Sequence, residues 1–271
     1  MSSHSPTIAV FDSGFGGLTV LRTLLERIPG AHYIYLGDTA RLPYGEKSQV
    51  TIARYAVEAA RFLADRGADH LVIACNTASA LAMPEIVEAV PIPVLGVIEP
   101  VVQMTHYRHP NAETLILATT ATVRSHAYRT SCEARGLHPF EKACPLLVPL
   151  IEEGWTDHHV TREVLRIYLM EALAVCSPSV VILGCTHYPL IAPLVRETLR
   201  ELACTAEVVD SAEATAFVAA TGFPKLAEAT KSTRAATFEC YATDSIEKFQ
   251  RLGSNFLGQP LPAVHLIDLG G

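Results

Sequence analysis

Twice in this chain four apolar residues run into a cysteine and a threonine-bearing polar step. Residues 71–74 (LVIA) lead into Cys75-Asn76-Thr77, and residues 181–184 (VILG) lead into Cys185-Thr186-His187. The two lie about 110 residues apart, and each is preceded at a similar distance by another strand-and-turn signal: TIAVFDSGFG from residue 7 and TLILATTATV from residue 114. Between the strand signals stand helical ones. Leu18, Leu21, Leu25 and Ile28 recur at helical spacing, as do Ile52, Tyr55, Ala56, Ala59, Phe62 and Leu63 before Gly67. Strands alternating with helices build parallel sheets through right-handed crossovers, with binding crevices at the carboxyl ends of the strands. A chain that makes this statement twice is expected to be α/β, with two pseudo-symmetric parallel-sheet lobes of flavodoxin/Rossmann-like winding; if the lobes face each other, the two sulfurs approach one cleft from opposite sides.

The expected division assigns residues 1–99 and 211–271 to the first lobe and 100–210 to the second. The proline-dense stretch from Pro91 to Asn111 resists reading as one regular element, and its middle is taken as the crossing between lobes. VVDSAEATAFVAA reads as a strand passing into a helix, and KLAEATKSTRAA as a surface loop. TFECYA reads as a strand, followed by a helix from Asp244, whose side chain caps it while Glu247 closes the box. VHLIDL reads as a closing strand, so the tail returns to the first lobe.

Composition narrows the function. A formal charge of −7 opposes broad adhesion to nucleic acid or to an anionic membrane. No apolar stretch reaches the roughly 18 residues of a membrane span, and the opening MSSHSPT lacks the cationic start and apolar middle of a secretory signal, so a cytoplasmic location is expected. Seven scattered cysteines suggest no disulfide framework, and reduced thiols are the default.

Cys75 and Cys185 each fall where a strand ends and a helix is expected to begin, a place where amides and partial positive charge stabilise thiolate. Each alone reads equally as a small buried residue; two in matching positions point to chemistry. Inverting a carbon centre needs a base on one face and an acid on the other, with exchangeable roles, and two thiols meet that need as a coupled pair. Asp12, at the end of the first strand, either helps one thiol or caps the next helix; His187 either helps the other or is a structural imidazole. The turn from Asp12 to Gly17 lacks the G-x-G-x-x-G spacing of a dinucleotide site, but its bare amides suit a carboxylate. Tyr44 and Gly45 sit in RLPYGEKS, a substrate-side loop or a plain turn. No metal-ligand spacing accompanies Cys185 and His187. Lysines 47, 142, 225, 231 and 248 all lie away from the inferred strand ends, which disfavours pyridoxal phosphate. Cofactor-free chemistry is expected.

FDSGFGGLTV, YLGDTARLPYG, ACNTASA, LGCTHYPL and VDSAEATA stand in the order and spacing of bacterial glutamate racemases, of the aspartate/glutamate racemase family. The tail YATDSIEKFQRLGSNFLG resembles that family's C-terminal segment, so the likeness covers nearly the whole chain. The resemblance implies a cofactor-independent racemase of glutamate, supplying D-glutamate for peptidoglycan and usually acting as a homodimer. It implies Cys75 and Cys185 as the acid/base pair of an active site in the cleft between the two lobes. It implies Asp12 and Ser13, Tyr44 and Gly45, Asn76 and Thr77, and Thr186 and His187 as substrate contacts. VPLIEEG resembles the stretch that bears a supporting carboxylate, Glu152, with Glu153 adjacent. Ala118 and the VIEPVV stretch depart from glycines common in the family, which bears on the lobe crossing more than on the chemistry. The longer leader of members activated by a cell-wall precursor is expected to be absent. Two alternatives stay open: a racemase of aspartate or another small acid, and a non-catalytic relative that binds a ligand or a partner, of the kind that inhibits DNA gyrase.

Overall fold

The computed structural model describes residues 5–270; residues 1–4, the start of the MSSHSPT stretch, and residue 271 lie outside it. Among the described residues ten strands form two sheets. Their bounds are β1 (Thr7–Asp12), β2 (His32–Gly37), β3 (His70–Ile73), β4 (Val94–Gly96), β5 (Glu113–Ala118), β6 (His138–Ala143), β7 (Val180–Gly184), β8 (Glu207–Asp210), β9 (Thr237–Ala242) and β10 (Val264–Leu266). The first sheet runs β10-β9-β2-β1-β3-β4 and the second β6-β5-β7-β8, with every pairing parallel. The second order repeats the β2-β1-β3-β4 end of the first, so β5 occupies the place of β1 and β7 that of β3. β1, β3 and β7 are buried along their whole length, which is why they read as unbroken apolar runs rather than alternating ones.

The helix over Gln49–Asp65 starts where Ser48 Oγ accepts from the Thr51 amide, 3.3 Å away, and Gly67 leaves it at φ +83°. In three places the structure corrects the reading of the sequence. The proline-dense stretch holds β4 and an eleven-residue helix, Ile98–Arg108. Pro100 is tolerated there because it sits in the first turn, where a backbone N–H has no helical partner to lose. The first half of the expected 225–236 loop is helical over Pro224–Ala229, with proline opening the first turn and Leu226 and Ala229 buried. The last helix spans Ile246–Leu257, and Asp244 does not cap it. The Asp244 backbone is clipped instead to Thr39, whose Oγ1 donates to its carbonyl at 2.6 Å and accepts its N–H at 2.9 Å. Ser245 then turns through φ +55° into the helix.

Candidate active site

The sheet order places the site. β1 lies beside β3, with the Ala74 amide bonded to the Phe11 carbonyl at 2.8 Å, so Asp12 and Cys75 leave neighbouring strands together. Cys185 leaves β7, the equivalent strand of the other sheet. The glycine turn between β1 and the Leu18–Arg27 helix then presses on the second sheet's strand end. A Cβ at Gly16 would lie 2.2 Å from Thr186 Oγ1 and 2.6 Å from His187 Nδ1, so only glycine allows that approach. Thr19 Oγ1 donates across the same junction to the Thr186 carbonyl at 3.2 Å.

Both cysteines line one cavity of about 420 Å³, together with Ser13, Tyr44, Gly45, Asn76, Thr77, Glu152, Thr186 and His187. Its size is that of a small-molecule site. Of the residues expected from sequence, only Asp12 is set back. Fully buried, it accepts from the Gly14 amide at 2.9 Å and from Thr186 Oγ1 at 3.4 Å. It does not cap the following helix, which starts after Gly17 without a side-chain cap. Burial pushes the Asp12 carboxyl above its usual range, partly offset by the positive charge of His187 and by the turn amides.

Cys75 caps the Asn76–Leu81 helix, its Sγ accepting from the Ala78 amide at 3.4 Å and lying 3.5 Å from Ser13 Oγ. The expected lowering of its pKa does not follow. Burial and the charge of Asp12 push the thiol up to about 12, outweighing Ser13 and the helix amides.

Cys185 departs from the expected pattern. No α-helix begins after it; the chain turns into a 3₁₀ segment, Tyr188–Ile191, before the helix Ala192–Glu201. Pro189 and Pro193 lack the N–H that a continuous helix would use. The neighbour of this sulfur is an imidazole instead: His187 Nδ1 lies 3.8 Å from Cys185 Sγ. His187 Nε2 lies 3.1 Å from Glu152 Oε1, so of the two adjacent glutamates it is Glu152 that meets the histidine. The Phe256 ring packs edge-to-face with the imidazole, with centroids 5.1 Å apart. Burial alone would lower the His187 pKa, but Cys185 and Glu152 outweigh it and raise it to about 10. Burial alone would raise Glu152, but His187 and Lys248 hold it below its ordinary value.

The Tyr44 hydroxyl, expected to face a ligand, donates to Asp38 Oδ2 at 2.5 Å instead. Asp38 also accepts from Arg41 Nε at 2.8 Å and Thr243 Oγ1 at 2.9 Å, which fixes the 39–46 loop. Tyr44 and Gly45 both line the cavity, but the Tyr44 hydroxyl is engaged within the protein. Asn76 Oδ1 accepts from Tyr128 Oη at 2.6 Å, while its buried Nδ2 has no protein partner. Thr77 Oγ1 shares its hydrogen bonds with Thr119 Oγ1 (3.1 Å) and Thr122 Oγ1 (3.2 Å).

Thr119, Cys144 and Lys248 also line the cavity and were not expected from sequence. The internal repeat contains the signal for Thr119, which follows β5 where Asp12 and Ser13 close β1. Lys248 had none: it lies away from the strand ends, as expected, yet reaches the cavity from the Ile246–Leu257 helix. Among the described residues no group of three or more histidine, cysteine or acidic side chains is arranged to hold a metal ion, and no helix is long and apolar enough to cross a membrane.

Residues 16–219 match the Asp/Glu/hydantoin racemase family. A glutamate racemase of Koribacter versatilis is 47% identical, with all of both chains covered. The crystal structure of a glutamate racemase from Francisella tularensis in complex with D-glutamate superposes with a TM-score of 0.89 at 32% identity, covering 98% of each chain. That of the Escherichia coli glutamate racemase, in complex with L-glutamate and the activator UDP-MurNAc-ala, superposes at 0.77 with 27% identity, covering 99% of this chain and all of that one.

Proposed function

We propose that this chain, which belongs to the Asp/Glu/hydantoin racemase family, interconverts L- and D-glutamate by passing protons between two thiols and the α-carbon. As a racemase it is an isomerase. The observation that carries the mechanism is that Cys75 and Cys185 leave equivalent strands of two equivalent sheets and line one cavity.

In each direction one sulfur begins as thiolate and the other as thiol. The thiolate takes the α-hydrogen as a proton, so an S–H bond forms, the Cα–H bond breaks and its electron pair stays on the α-carbon. The opposite thiol then gives its proton to the other face of that carbon, and the two sulfurs end with their states exchanged. The α-proton of an amino acid is a weak acid, so the negative charge that develops needs preorganised donors in a site shielded from water. The unpartnered Asn76 Nδ2 and the raised pKa of His187 support that role. Asp12 and Ser13 support the Cys75 side, and His187 with Glu152 the Cys185 side. Thr77, Thr186 and the Tyr44-Gly45 turn complete the substrate contacts.

The same reading takes residues 1–99 with 211–271 as one lobe and 100–210 as the other. It makes the enzyme a cytoplasmic homodimer that works without cofactor and supplies D-glutamate for peptidoglycan.

The test is incubation with L-glutamate in heavy water, following optical rotation and α-deuterium together. Both change if the reading holds, and L-aspartate changes far less. Deuterium entry without loss of rotation, or neither, contradicts it.

A further inference from the structure

We propose that Lys248 is a positioning residue for the proton relay at Cys185, holding Glu152 in register with His187 from the far side of the cleft. The proposal rests on the two-thiol reading above. Four groups stand in line. Cys185 Sγ lies 3.8 Å from His187 Nδ1, His187 Nε2 lies 3.1 Å from Glu152 Oε1, and Glu152 Oε2 accepts from Lys248 Nζ at 3.2 Å. Each oxygen of the carboxylate therefore has its own partner, and the pair of them sets the orientation in which Oε1 meets the imidazole. Glu152 needs such an anchor. It is the last residue of a short helix, Leu147–Glu152, where the backbone gives little rigidity.

The anchor itself is well seated. Lys248 stands in the Ile246–Leu257 helix, whose Phe249, Leu252 and Phe256 are buried. Phe249 packs against Phe15 with ring centroids 5.6 Å apart, and the Lys248 ammonium lies 5.5 Å from the Phe15 ring. Two turns on, Phe256 of the same helix closes on His187. One helix thus braces both members of the relay, the carboxylate through a charge and the imidazole through a ring. That helix leads from β9 to β10 of the first sheet, whereas His187 follows β7 of the second. The relay lies with the second sheet, and both of its braces come from a helix of the first.

The Lys248 side chain is 43% exposed, so the ion pair contributes little to stability, and removing it leaves a folded protein. Its effect falls on one thiol. Racemisation in one direction begins with abstraction by Cys185 and ends with delivery from Cys75; the reverse direction exchanges them. Loosening the relay slows the Cys185 step alone. The isotope effect on α-deuterated substrate then rises for the enantiomer whose proton Cys185 takes, and falls for the other.

The experiment compares wild type, Lys248→Gln, Lys248→Arg and Cys185→Ala, each with α-deuterated and protiated L- and D-glutamate. For Lys248→Gln we expect kcat to fall about tenfold, a part of the roughly 10²–10⁴-fold that a positioned acid or base supplies. KM should stay within about twofold, since the substrate contacts are untouched. The two isotope effects should diverge, and Lys248→Arg should restore both kcat and their balance. Wild-type kcat in Lys248→Gln, a fall with unchanged isotope effects, or a raised KM at constant kcat overturns the proposal; the last would make Lys248 a substrate-carboxylate contact. Activity in Cys185→Ala would instead overturn the two-thiol reading, and the lysine's role with it.

Discussion

Tyr128 Oη donates to Asn76 Oδ1 across 2.6 Å, and this one bond decides which end of the Asn76 amide is left without a protein partner. Tyr128 is fully buried, and its hydroxyl proton needs an acceptor. Giving it Oδ1 leaves Nδ2 as an orphaned buried donor in a residue that lines the cavity, a cost that the proposed contact with a substrate oxygen would relieve.

Tyr128→Phe removes that constraint while keeping the ring. Loss of one hydrogen bond is worth about 0.5–1.5 kcal/mol, so KM for glutamate should rise up to about tenfold. Steady-state kinetics with circular dichroism as a folding control checks this. An unchanged KM would mean that the amide orientation does not matter for binding.

The Cys185–His187–Glu152 cluster should leave a mark on stability. His187 has its pKa raised from an ordinary 6.5 to about 10. Between those values the folded protein binds more protons than the unfolded chain, so the contribution is fully present below pH 6.5 and is lost as pH rises toward 10. Glu152, held below its ordinary 4.5, contributes a constant amount across that range. Glu152→Gln removes one of the partners that raise His187. The Tm gap between wild type and Glu152→Gln should therefore narrow from pH 6.5 to 10. A gap that stays constant would show that His187 is not held protonated by this carboxylate.

Gly16→Ala tests the junction between the halves. Its Cβ would meet Thr186 Oγ1 and His187 Nδ1 well inside contact distance, and both are fixed by their own partners. Overpacking of this kind costs about 1–3 kcal/mol, and a shift of about 1 Å at His187 should lower kcat on the order of 100-fold. Thermal unfolding and kcat measured together decide the matter. Wild-type values in both would mean that the turn yields freely.

Much of this was written locally. The buried strands β1, β3 and β7 announce themselves as apolar runs, and the order in which they lead to Asp12, Cys75 and Cys185 is legible in their repetition, which also held an unread signal for Thr119 after β5. The Ser48 cap and Gly67 bound a helix with an obvious period. Other features depend on contacts between distant segments. Lys248 reaches Glu152 from nearly a hundred residues away, and Tyr128 reaches Asn76 from the other half of the molecule. The Ile98–Arg108 helix hid behind its prolines, and the 3₁₀ turn after Cys185 broke a symmetry that the two cysteine motifs invited one to extend. The pKa of Cys75 departs from the sequence expectation for a related reason. A helix terminus is visible in sequence, but the burial and the facing carboxylate that outweigh it are not.

The central claim is that one proton donor and one proton acceptor, each a sulfur, flank the α-carbon. Its most direct test is racemisation by Cys75→Ala and by Cys185→Ala, measured as loss of optical rotation from L-glutamate and from D-glutamate. We predict that each variant folds and that each loses at least about 1000-fold in rate with both enantiomers, as expected when one of two groups acting as a unit is removed. A folded variant of either kind that racemises glutamate at the wild-type rate would contradict the account.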